Sequence, residues 1–97
     1  MSIFGTIFGS TKKYSTQEET LTNEEIKKMV SRLRIRTLDQ KEEDLIEQAI
    51  AARRQGDGKI SLQQIHEVLT KLKNQHSISD NDRRALMEVF TEYLEQK

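Results

Sequence analysis

The sequence predicts an all-α domain of four short helices, arranged as two helix–loop–helix units or a four-helix bundle. Three observations predict it. The 97 residues contain no proline and only four glycines, so few positions interrupt a helix. Four separate stretches place apolar residues three and four apart, the spacing of one helix face. Each of those stretches opens on a Ser or Thr suited to capping the free amides of a first turn.

The first helix starts at Thr22, with Glu25 completing a capping box and Leu21 and Ile26 forming a hydrophobic staple. Its apolar face is Ile26, Met29, Val30 and Leu33. Arg32, Arg34 and Arg36 crowd its end, where cations complement the helix dipole. The second helix is expected from near Thr37, with Gln40 three residues on. It runs through Leu45, Ile46, Ala49 and Ile50 and stops at Gly56. The third opens on Ser61 with Gln64 answering it and Ile60 stapled to Ile65. Its stripe is Leu62, Ile65, Val68, Leu69 and Leu72. The fourth follows Ser79, has Asp80 and Asp82 in its first turn, and carries Leu86, Met87, Phe90, Tyr93 and Leu94. Two short extended pieces, Leu33–Arg36 and Lys59–Ser61, have the alternation needed to pair with each other across the two units.

Residues 1–20 differ from the rest. Ile3-Phe4-Gly5 recurs as Ile7-Phe8-Gly9, and the stretch from Ser10 to Thr20 is rich in Ser, Thr, Gln and Lys. The reading is a flexible segment with an apolar anchor at 3–8, followed by one helical domain from 21 to 97. Leaving Ile3, Phe4, Ile7 and Phe8 in water is costly, since burying each fully is worth about 1.5–3 kcal/mol. They are therefore expected to enter an apolar groove of a partner or of their own domain, or to lie on a membrane interface beside Lys12 and Lys13.

Composition narrows the function classes. Sixteen acidic residues balance sixteen basic ones, so no global field draws the protein to nucleic acid or anionic lipid. There is no cysteine, which excludes disulfides and thiolate metal sites and fits a cytoplasmic protein. No apolar run approaches the roughly 18–20 residues of a membrane span. No phosphate-binding glycine loop, nucleophile elbow or HExxH is present, and His66 and His76 lack ligand-spaced partners. The expectation is a protein that is not an enzyme and takes no cofactor.

Between the second and third helices lies Gly56-Asp57-Gly58-Lys59-Ile60-Ser61. Its Asp57-Gly58-Lys59-Ile60 centre, flanked by the helical stretches from Leu45 and to Leu72, resembles an EF-hand. The resemblance covers about a third of the chain. It implies paired helix–loop–helix units that fold together and bind a partner's helix. With Gly58 as the sixth loop position, Arg53 stands first, Gln55 third and Gln64 twelfth, where that family carries carboxylates. Asp57 is the one carboxylate in the loop. Calcium binding tighter than about millimolar is therefore not expected, because the ion needs six to eight oxygens, several of them charged.

The expected function is a small protein–protein interaction, adaptor or regulatory module that is EF-hand-like without calcium dependence. Ile3, Phe4, Ile7, Phe8, Arg32, Arg34 and Arg36 are the candidate partner contacts. One alternative is a weak calcium-responsive sensor around Asp57. Another is a helix-turn-helix DNA-binding regulator, with Ile60 to Asn74 in the groove and Lys71 and Lys73 on phosphates. Net neutrality and the acidic last helix weigh against nucleic acid.

Overall fold

The helices are defined locally, by their caps, before they are defined by packing. The computed structural model describes residues 14–32 and 39–96, with Arg32 as backbone alone. In chain order they form β1 (Glu19–Thr20), α1 (Asn23–Arg32), α2 (Gln40–Arg53), β2 (Lys59–Ile60), α3 (Leu62–Asn74) and α4 (Asp80–Glu95). The fold is all-α, with one two-stranded sheet of two residues per strand.

Three of the caps fall where the sequence puts them. Thr22 and Glu25 exchange bonds at α1, Ser61 and Gln64 at α3, and Ser79 and Asp82 at α4. The start of α2 differs. Asp39 caps it and Glu42 returns the bond, two residues beyond the expected Thr37 and Gln40. Both pairs have capping-box spacing, and the aspartate is at least as good a cap as the threonine. The helix also ends at Arg53, short of Gly56. At the end of α3, the His76 amide bonds to the Lys73 carbonyl and the Ser77 amide to that of Leu72. This is a Schellman closure, with His76 in the left-handed position at φ 63°.

α1 packs on α2, α2 on α3 and α3 on α4, and α4 closes the ring against α1. Phe90, Ile46, Ile50, Ile65, Leu69 and Leu86 lie at its centre with no solvent exposure. The Tyr93 hydroxyl of α4 donates to Oε2 of Glu25, whose other oxygen accepts the Thr22 amide. One carboxylate thus both caps α1 and ties it to α4. That hydrogen bond, followed by burial, raises the Tyr93 pKa.

Two expectations are corrected. Leu45, one of the four apolar residues read along the second helix, is 40% exposed. Ile46 and Ile50 fill the core, and Leu45 sits about 100° around the helix from Ile46. The strand partner also differs: β2 pairs antiparallel with β1, in register Glu19 to Ile60 and Thr20 to Lys59. Leu33–Arg36, the expected partner, lies outside the described residues. The Leu21 amide continues the ladder onto the Gly58 carbonyl at 3.0 Å, and the Gln63 amide reaches the Ser15 carbonyl at 3.1 Å. Tyr14 packs against the core. Structure therefore begins N-terminal to Leu21, the expected boundary, because these polar residues supply backbone bonds rather than apolar bulk.

Candidate functional site

The loop singled out in the sequence closes on itself. Gln55 and Lys59 exchange backbone bonds of 2.8 and 2.9 Å, and Gly56, Asp57 and Gly58 span the turn. Gly56 and Gly58 have φ of 56° and 86°, the left-handed region that glycine enters without steric cost. Asp57 is exposed. Gln64 is committed to the α3 cap, and Arg53 faces Glu67 at 3.9 Å. Among the described residues no three His, Asp or Glu side chains gather as metal ligands would.

A cation the sequence reading passed over fills the loop's inner side. Arg54 leaves α2 with an extended backbone and turns its guanidinium inward. Nη1 donates to the Leu21 carbonyl at 2.7 Å, Nη2 to Asn23 Oδ1 at 2.6 Å and Nε to the Ala51 carbonyl at 3.2 Å. A Cβ on Gly58 would stand 3.5 Å from Nη1. The loop between α2 and α3 is thus fastened to the junction of β1 and α1 by a side chain.

Apolar surface is concentrated elsewhere. A groove of about 430 Å³ runs between α2 and α3, with Ala49, Ala52, Val68 and Leu72 along it and Arg53, Glu67, Lys71 and Gln75 at its edges. It exists because two alanines stand on α2 where larger side chains would fill the space. Leu45 lies one turn before Ala49, and positions 45, 49 and 52 fall on one helix stripe. Among the described residues Leu45 is the one large hydrophobic that is exposed. Glu67 is shared with Arg53, whereas Lys71 makes no ion pair among the described residues, so the rim is positive.

A second, more polar groove of about 600 Å³ lies between Tyr14 and the face of α4 that carries Arg84, Met87, Glu88, Thr91, Glu92 and Glu95. The Tyr14 ring rests on the imidazole of His66, centroids 4.8 Å apart. His66 Nε2 lies 2.8 Å from Arg83 Nη1, and Arg83 also binds Asp80 through Nε at 3.2 Å and Nη2 at 2.7 Å. An arginine can only donate, so Nε2 accepts and the neutral ring carries its proton on Nδ1. Burial first, and then the Arg83 charge, hold the His66 pKa below the usual histidine range, against a weaker upward pull from Glu67.

The unfolded chain takes up this proton at higher pH than the folded one, so the stabilisation is complete above about pH 6.5. It is lost as pH falls through the folded pKa. Urea midpoints of the wild type are expected to drop between pH 7.5 and 5, and His66→Gln is expected to flatten that drop. An unchanged slope in the variant would assign the pH dependence to other groups.

The candidate contacts Ile3, Phe4, Ile7, Phe8, Arg34 and Arg36 lie outside the described residues, as does the Arg32 side chain. Lys71 falls on the rim of the α2–α3 groove, and Lys73, half-buried, adds its charge to those around Asp80. Arg54, Tyr14 and His66 are the residues that sequence reading missed or set aside. Compared with known protein families, curated proteins and solved structures, the chain matches none. No helix among the described residues is long and apolar enough to cross a membrane.

Proposed function

We propose that the protein is a non-enzymatic interaction module that receives an amphipathic helix of a protein partner in the groove between α2 and α3. The observation that carries this reading is Ala49 and Ala52 facing Val68 and Leu72, apolar surface left open between two packed helices, with the exposed Leu45 one turn before Ala49 on the same side of α2. An incoming helix presents apolar side chains at i, i+3 or i+4 and i+7, which match a groove of this shape. The positive rim at Arg53 and Lys71 selects acidic residues flanking those anchors. The EF-hand resemblance of the Asp57-Gly58-Lys59-Ile60 stretch agrees with helix capture, and with Arg54 as the fastening no calcium ion is required of the loop.

A displayed library of helical peptides, selected on the intact protein, tests this. The expected binders share the apolar spacing, carry acidic flanks, and lose at least tenfold in affinity on Leu45→Glu or Ala52→Glu. Both positions are exposed, so neither change disturbs the core. Binders indifferent to both substitutions, or no binders, would overturn the reading.

A further inference from the structure

We propose that the first thirteen residues of the chain dock intramolecularly along the groove between Tyr14 and α4, with Lys12 and Lys13 against Glu88, Glu92 and Glu95. The groove and its occupant meet at Tyr14. That residue forms one wall, so the segment that precedes it needs no linker to reach the groove.

Charge supports the same placement. Glu88, Glu92 and Glu95 follow one another at spacings of four and three, on one side of α4. None of the three forms an ion pair among the described residues. Arg84, the one cation on the groove wall, is held by Asp80 at 3.0 Å. Residues 1–13 contain Lys12 and Lys13 and no acidic residue, and those lysines come immediately before the wall. Like charges along a helix face cost stability that an adjacent cation recovers.

Length and apolarity are compatible as well. The groove face from Arg84 to Gln96 is about 18 Å long at 1.5 Å per helical residue. Thirteen residues span up to about 45 Å extended, so the segment can follow the whole face. Ile7 and Phe8 then bring apolar side chains to Met87 and the Tyr14 ring, the apolar parts of that groove. This surface is separate from the one between α2 and α3, and the inference does not rest on the helix-capture reading.

The chain has no cysteine, so a single introduced one carries a nitroxide label at a defined site. Gln96→Cys, exposed at the end of the groove, and Ala52→Cys, exposed on α2, are labelled in otherwise intact protein. Amide intensities of residues 2–13 are then read by NMR. The expected result is strong broadening of residues 5–13 by the label at 96 and little by the label at 52. The double variant Lys12→Glu, Lys13→Glu is expected to release most of that broadening, and raised salt to weaken it. Equal broadening from both labels, or broadening that survives charge reversal, would overturn the proposal. So would broadening seen only between labelled and unlabelled molecules in a mixed sample, which means a second copy. So would broadening that vanishes in the wild type while residues 3–8 bind anionic phospholipid vesicles equally well with and without Lys12 and Lys13.

Discussion

Phe90→Ala is expected to destabilise the protein by about 3–5 kcal/mol, the usual cost of emptying a buried aromatic site. Phe90 lies on α4 with no exposure and is the single phenylalanine among the described residues. The ring belongs to a core cluster that is otherwise built from Leu, Ile, Val and Met side chains, including Ile46, Ile50, Ile65 and Leu69. Such side chains collapse only partly into a void of that size, so a cavity contribution adds to the lost transfer energy. At roughly 0.05–0.15 kcal/mol per residue, a chain of this length holds about 5–15 kcal/mol in all. The substitution therefore removes a large part of it, and the variant should be partly unfolded at modest urea concentrations. Glu88→Ala, two residues away on the exposed side of the same helix, should change the midpoint by less than about 0.5 kcal/mol. Equal effects at the two positions would mean that α4 is rotated about its axis.

What the sequence disclosed and what it withheld divide by distance along the chain. Caps at Thr22, Ser61 and Ser79 were legible because a capping box is a contact between a residue and the third one after it. The second helix start was misplaced by two residues because Thr37–Gln40 and Asp39–Glu42 offer the same pattern, and the choice between them rests on chain geometry. The stripes of α3 and α4 were read almost entirely as they pack. Leu45 was not, since a period of 3.6 leaves its flanking apolar residues ambiguous by about 100°. The pairing of Glu19–Thr20 with Lys59–Ile60 joins strands of two residues about forty positions apart. Lys59–Ile60 was legible as an extended piece, whereas Glu19–Thr20 has neither the alternation nor the length that announces a strand. The grooves are products of how helices meet, so Ala49 and Ala52 read as ordinary helix formers until α3 is placed beside them.

Arg54→Ala is expected to cost about 2–3 kcal/mol and to loosen the contact between β1 and β2 before the rest of the fold. The guanidinium makes three donor bonds in a part-buried position, to Leu21, Asn23 and Ala51. Hydrogen bonds from a charged donor contribute about 1.5–3 kcal/mol each, and water at the exposed end replaces part of that when the side chain is removed. The Leu21 carbonyl is the contact that matters most. It lies 33 positions from Arg54, beside the Leu21 amide that bonds to Gly58. Breaking it separates the α2–α3 loop from the segment leading into α1, while the core between Ile46, Ile65 and Phe90 is left intact. Hydrogen exchange should therefore accelerate at the Leu21 amide in the variant with much less change at Ile50 or Leu69. Arg54→Lys should recover only part of the loss, because an ammonium cannot place donors on three acceptors fixed by a planar fork. If exchange at Leu21 is unchanged in Arg54→Ala, the two strands hold each other without the arginine. If all amides accelerate together, the loop and the core open as one unit.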